Sequence, residues 1–229
     1  MFSNRHLLRN KWRKHMRKRE RRNQIITVIT DYVIHNLRQF LLIFIIFLIG
    51  IVLGVSYVNN LEGDSQTQVQ NYIQNFIDVL KQGNARIDRM SLVKQNLMEN
   101  LGLVLLLWFA GSTVIGMPVV LGVILYKGFS LGYSVAAVIA SLGIQKGSIF
   151  ALSSIFLQNI IFIPCLLFLG VSGMKLYQAI LKDHRKENIK FEIYKHSMMS
   201  LILAGTFSIG TLVEVYLSTS IFLLTIPLY

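Results

Sequence analysis

The sequence predicts an all-α integral membrane protein, a bundle of about five transmembrane helices. Its 229 residues are 53% hydrophobic and their mean hydropathy is +0.54, whereas soluble domains rarely exceed about half apolar residues even when glycine is counted. Several stretches reach the roughly 20 apolar residues that cross a hydrocarbon core about 30 Å thick. A chain of this length with such spans indicates one membrane domain with short extramembrane segments.

The N-terminal segment carries much of the net charge of +12, because residues 5–22 hold ten Lys or Arg. Such a block keeps a terminus in the cytoplasm and attracts anionic lipid. No folded reader of nucleic acid surrounds it, so we expect membrane lipid and not nucleic acid as its partner. Residues 24–38 space apolar side chains at helical intervals, which predicts an amphipathic lead-in helix at the membrane surface. We therefore divide the chain into a cytoplasmic tail with this helix (1–38) and a membrane domain (39–229).

Lys127 and Gly128 interrupt the long apolar region 97–143, and we interpret them as the boundary between two spans. Pro118 predicts a kinked or broken second span, because proline cannot donate a hydrogen bond to the carbonyl of Val114. Pro164 is a second expected kink. If the chain turned back at Pro118, a re-entrant segment would replace one crossing. The predicted spans cover about residues 39–58, 97–126, 128–144, 149–174 and 198–228.

The distribution of basic residues predicts the orientation of the bundle. With the N-terminus inside, 18 of the 23 Lys and Arg residues lie on the cytoplasmic side, some of them in the loop 175–196. The positive-inside rule therefore favours an N-in, C-out arrangement with the loop 59–96 outside.

The outer loop is itself patterned as a short helical hairpin. Ser65 and Gln68 form a capping box, an apolar stripe at helical spacing follows, and a second helical segment begins near residue 85. The stripe could contact lipid, the bundle or a partner protein. As a partner surface it would present Tyr72, Ile73, Phe76 and Ile77.

Small and polar residues in the spans indicate where helices pack against each other. Small residues four positions apart let two backbones approach closely. The neighbouring amides Gln158 and Asn159, inside the apolar stretch "SSIFLQNIIFIPCLLF", are interpreted as hydrogen-bonding groups between helices. With Glu214, the predicted packing and structural residues are Gly50, Gly54, Gly128, Gly132, Ala136, Ala140, Gln158 and Asn159.

Glu214 is the one ionisable residue deep in a predicted span, so it is a functional-site hypothesis by default. A structural hydrogen bond, a contact with a partner protein and an ion or proton path remain open for it. The sequence contains no phosphate-binding loop, hydrolase motif or metal-ligand spacing. The single Cys165 is expected to be buried, and the five His residues are expected to be solvated in cytoplasmic segments. We therefore predict no enzyme activity, cofactor or metal site.

Three stretches, "FLIGIVLGVSYVNNL", "PVVLGVILYKGFSLGYSV" and "LQNIIFIP", resemble the stage II sporulation protein M family, and the similarity extends over about residues 38–228. The resemblance implies a non-enzymatic membrane component of the engulfment machinery. Such a protein would anchor and localise sporulation proteins D and P, the hydrolases that degrade septal peptidoglycan. It would lie in the cell membrane at the sporulation septum and the engulfing mother-cell membrane, with no small-molecule substrate. A small permease or the membrane subunit of a transporter is the alternative.

Overall fold

The computed structural model describes residues 24, 27–81, 89–113, 116–152, 157–182 and 186–225. Within these ranges every regular element is helical, which confirms the all-α prediction. The chain divides into two compact units, residues 1–41 and 42–229. In the first unit, residues 27–35 are helical, and Asn36 at the following turn donates from Nδ2 to the carbonyl oxygen of Tyr32 over 2.6 Å.

Three of the helices are long and apolar enough to cross a membrane, judged by length and composition over the described residues. They cover Leu37–Asn59, Gly116–Leu142 and Asn159–Leu181. The molecule is therefore a membrane protein. The helices, in chain order, are α1 (Leu37–Asn59), α2 (Asp64–Lys81), α3 (Arg89–Gly111), α4 (Gly116–Leu142), α5 (Ile144–Phe150), α6 (Leu157–Lys182) and α7 (Lys186–Thr225).

The expected division between two spans at Lys127 and Gly128 is wrong. Helix α4 runs without interruption from residue 116 to residue 142, so Lys127 lies in the middle of a helix that is long and apolar enough to cross a membrane. The break lies earlier, after α3 ends at Gly111. An apolar region long enough for two spans does not reveal where the chain turns, and the charged residue was a misleading marker.

The chain leaves α3 through a turn that serine and threonine hydroxyls satisfy locally. Ser112 donates from its Oγ to the carbonyl oxygen of Trp108 over 2.7 Å, and Thr113 donates to that of Ala110 over 3.0 Å. Pro118 lies in the first turn of α4, where the N–H that proline lacks would have had no helical acceptor. The predicted break near Pro118 is therefore present, and the proline lies at the start of the new helix.

Beyond α4 the chain folds back on itself at Gly143, whose φ of 80° is a conformation that glycine adopts readily. The short helix α5 then packs against the end of α4, with Gly147 against the backbone of Ile139. The next long helix begins at Leu157, later than the predicted start at 149, and continues through Pro164. Much of the predicted loop 175–196 is helical, because α6 extends to Lys182 and α7 begins at Lys186.

Contacts between named residues fix the relative directions of the helices. Helices α1 and α4 are parallel, because Gly128 lies against Phe47 and Gly132 lies one turn further along against Ile51. Helices α3 and α7 are antiparallel, since contacts join Trp108 to Ser197 and Asn100 to Thr211. Helices α6 and α7 are also antiparallel, joined by the pairs Ser172–His196 and Phe162–Phe207. Among the described residues, the fully buried aliphatic side chains are Ile43, Leu107, Val120, Ile124, Leu166, Leu169, Val171 and Leu176.

Candidate functional site

Helices α1 and α4 meet through glycines, with backbone against backbone. A Cβ atom added at Gly50 would overlap the carbonyl oxygen of Leu125, and one added at Gly54 would lie 2.7 Å from the amide nitrogen of Tyr133. On the facing helix, Gly128 and Gly132 are equally confined by the α1 backbone. Such approach gains dispersion contact over the whole crossing, the main attraction available between helices in lipid.

All four glycines were predicted from sequence as packing residues, Gly50 and Gly54 as one pair and Gly128 and Gly132 at the start of a longer small-residue series. Further along α4, Ala136 is half-buried and Ala140 is exposed. The crossing continues instead through aromatic rings: Tyr57 lies 5.8 Å from Phe129 and 6.2 Å from Tyr133, measured between ring centroids.

A buried histidine joins three helices at another point of the bundle. His196 is 1% exposed, so the expectation that it is solvated is wrong. Its Nδ1 lies 3.0 Å from the Ser172 Oγ and its Nε2 lies 3.3 Å from the Trp108 carbonyl oxygen. A carbonyl can only accept, so Nε2 carries the proton, and in the neutral ring Nδ1 accepts from the serine hydroxyl. One imidazole thus connects α3, α6 and α7.

The space for this imidazole is provided by two glycines. Gly111 lies directly against the ring, and a Cβ there would approach its Nε2 to 2.8 Å. Gly173 lies against Gly111 and near the same ring. The sequence did carry a signal for this site. On α7, Leu203, Phe207 and Thr211 form a buried face. His196 and Ser200 continue the same helical spacing toward the start of α7, over two further turns.

A polar cavity of about 180 Å³ lies between α1, α3, α4 and α6. Lys127 contributes a positive charge, and the Glu99 carboxylate is near enough to attract it electrostatically. Placing a charged side chain at the centre of a spanning helix costs about 2.5–3.5 kcal/mol on insertion scales, so such residues commonly mark functional sites. The cavity is lined by Phe47, Asn96, Glu99, Asn100, Lys127, Ser130, Leu131, Ser134, Asn159 and Phe162.

Hydrogen bonds and a ring contact hold the lining residues in place. Glu99 accepts a 3.1 Å hydrogen bond from Gln95 Nε2 one turn away, and Asn100 Nδ2 donates over 2.9 Å to the Thr211 hydroxyl of α7. The Lys127 ammonium lies 5.2 Å from the centroid of the Phe162 ring, within the range of a cation–π interaction. Lys127 was not identified from sequence as a site residue, because it was placed at the boundary between two spans.

The remaining predicted residues fall in different places. Asn159 is half-buried and lines the polar cavity. Cys165 is buried, as expected. On α2, Tyr72 is 75% exposed and Ile73 is half-buried. The side chains of Phe76, Ile77, Gln158 and Glu214 lie outside the part of the chain that the structure describes.

Comparison with known families gives one result. A family model described as stage II sporulation protein M matches residues 43–219. No curated protein and no solved structure matches the chain significantly. The matched range extends from α1 to α7 and includes the glycine crossing, the buried histidine and the polar cavity. The chain therefore belongs to the stage II sporulation protein M family and is a sporulation-related membrane protein.

Proposed function

We propose that the protein is a non-enzymatic membrane scaffold of the sporulation engulfment complex. In this proposal it anchors and localises peptidoglycan hydrolases, sporulation proteins D and P, so that the septal wall is degraded and the membrane can migrate. Membership of the stage II sporulation protein M family carries the proposal. Helices held by backbone contact between glycines and by a buried hydrogen-bonded histidine suit a protein whose role is to hold a fixed shape.

The topology that belongs to this proposal has five spans, α1, α3, α4, α6 and α7, with the N-terminus inside and the C-terminus outside. The helix directions support it, because α1 and α4 run parallel while α3 and α6 each run antiparallel to α7. The turn after Gly111 then lies on the inner side. In this arrangement, 17 of the 23 Lys and Arg residues lie inside and five outside, with Lys127 in the membrane. The positive-inside rule is therefore still satisfied.

Helix α2 is the candidate recruiting surface. It lies on the outer side in this topology, where a wall hydrolase acts, and Tyr72 leaves 75% of its surface exposed. An exposed aromatic side chain is a common anchor for a partner protein. The proposed contact surface consists of Tyr72, Ile73, Phe76 and Ile77.

Co-purification from sporulating membranes tests this surface. The protein, solubilised in mild detergent, should bring sporulation proteins D and P with it. Tyr72→Glu should reduce the recovered hydrolases at an unchanged level of the scaffold, because a charge replaces an apolar anchor. Gln74→Glu, at an exposed neighbour on the same helix, is the matched control. If both variants recover as much hydrolase as wild type, α2 is not the contact surface.

The alternative function, a small permease or the membrane subunit of a transporter, is favoured by one observation, the polar cavity with its Lys127–Glu99 pair. Charged residues within spans often mark substrate or ion paths. A transport function predicts that Lys127→Gln abolishes sporulation while protein level and hydrolase recovery stay normal. The scaffold proposal predicts that sporulation and hydrolase recovery change together.

A further inference from the structure

The polar cavity has an exposed rim. Glu99 of α3 and Ser130 of α4 are exposed, whereas Lys127, Asn100 and Asn159 are half-buried deeper in the cavity. The groups at the rim are thus a carboxylate, which accepts hydrogen bonds when ionised, and a hydroxyl, which can donate or accept. Next to the turn that connects α3 and α4, the two helices are in direct contact at Ala110 and Gly116. The cavity lies further from this turn, between the same two helices.

The depth of the rim follows from the length of α4. Lys127 lies 11 residues after the start of this 27-residue helix, which corresponds to about 16 Å along the axis at 1.5 Å per residue. About 22 Å of helix then remains on the other side. Ser130 is one turn further along, and Glu99 borders the same cavity. In a membrane-crossing α4, these rim groups lie within the hydrocarbon core.

Lipid is a poor cover for such a rim. Acyl chains offer no hydrogen bonds to a carboxylate or a hydroxyl, and ionisable residues in spans almost always face other protein groups or water. Lys127 attracts Glu99 electrostatically and Gln95 donates one hydrogen bond to its Oε1, but Glu99 remains exposed. The outward faces of α1 and α6 differ from this polar rim, because they carry apolar residues such as Val52 and Ile160, which are 64% and 56% exposed.

We propose that the rim of the polar cavity is an intramembrane docking site for a transmembrane helix of another protein, and that this helix inserts a long donor side chain (Lys, Arg or Gln) opposite Glu99. A cavity of about 180 Å³ accommodates one such side chain but not a helix, so the helix lies across the rim. The inference rests on the proposed function, since the partner helix belongs to a membrane-anchored hydrolase of the complex.

Site-specific photo-crosslinking in the sporulating native strain tests the proposal. A benzoylphenylalanine at Ser130 should form an adduct that antibodies to sporulation protein D or P detect. The same photoprobe at Val52, which is exposed on the side of α1 turned away from the glycine crossing, should form no such adduct. Glu99→Leu should reduce the Ser130 adduct at least fivefold at equal protein level, whereas Glu99→Gln, which keeps an acceptor oxygen, should retain more of it.

Co-purification from the same cells separates the outcomes. If the hydrolases co-purify but Ser130 yields no adduct with them, or yields as much as Val52, the docking site is refuted and the scaffold proposal stands. An adduct between two copies of this chain alone would also refute the heterologous site. If the hydrolases neither co-purify nor crosslink, the scaffold proposal fails and the docking site fails with it.

Discussion

The glycine crossing of α1 and α4 makes a quantitative prediction for Gly132→Ala. A Cβ at Gly132 would overlap the carbonyl oxygen of Ile51 and lie 2.9 Å from its carbonyl carbon, whereas ordinary contacts begin at 3.4 Å. The α1 backbone must therefore retreat by at least 0.5 Å at this point. A gap of that size already forfeits about a quarter of the dispersion attraction between the atoms it separates, and forced overpacking typically costs about 1–3 kcal/mol.

The higher helix propensity of alanine stabilises the variant and partly offsets this loss, so it has to be separated from the packing effect by a control. Alanine is favoured over glycine in a helix by up to about 1 kcal/mol. Gly122→Ala is the matched control, because Gly122 lies on the same helix and a Cβ there would have no neighbour within 4 Å. We expect the free energy of unfolding of Gly132→Ala to fall about 1–3 kcal/mol below that of Gly122→Ala.

Both stabilities can be measured on the purified protein in detergent micelles. Titration with sodium dodecyl sulfate, followed by circular dichroism, gives the free energy of unfolding of each variant relative to wild type. Equal stabilities of the two alanine variants would refute the conclusion that α1 and α4 are held by direct backbone contact.

Three further predictions concern the topology, His196 and Glu214. Reporter fusions at Gly83 and Tyr229 should report an outer location and a fusion at Lys186 a cytoplasmic one. A cytoplasmic signal at Gly83 would mean that the topology is the inverse of the one proposed. His196→Leu should lower the free energy of unfolding by about 1–3 kcal/mol, because it removes the imidazole partner of the buried Ser172 hydroxyl; an unchanged detergent unfolding curve would contradict this. Glu214→Gln, which keeps the hydrogen-bonding capacity, should preserve protein level and hydrolase recovery, whereas Glu214→Leu should lower the protein level on immunoblots. An abundant but non-functional Glu214→Gln protein would favour the transporter.

The helical class of the fold could be predicted because it depends on local patterns that lipid enforces. Long apolar runs must be helices, since no water satisfies the backbone in the hydrocarbon core. The glycine spacing indicated faces on which helices can pack, at Gly50 and Gly54 and again at Gly128 and Gly132. It did not indicate that these two faces meet each other, because spacing within a helix carries no information about its neighbour.

The two polar sites were not predicted, because the partners of each residue depend on the tertiary structure, and the helical spacing at His196 and Ser200 indicated a buried face without indicating what it contacts. Lys127 was read as the end of a span, and only a continuous α4 places it inside the bundle. His196 was read as a residue of a solvated loop, although it lies against Trp108 and Ser172, which are 88 and 24 residues away in sequence. For both residues, charge or polarity suggested that the side chain is in contact with water, whereas in the fold it contacts other residues of the protein.

The central claim, that this protein localises wall hydrolases, is tested most directly by imaging fluorescent fusions of sporulation proteins D and P in sporulating cells. With the wild-type protein present, both fusions should concentrate at the septum and then follow the engulfing membrane. In cells that lack this protein, the account predicts that both hydrolases are made at normal levels but spread around the cell membrane, and that the intact gene restores their position. Septal localisation that persists without the protein would contradict the scaffold function.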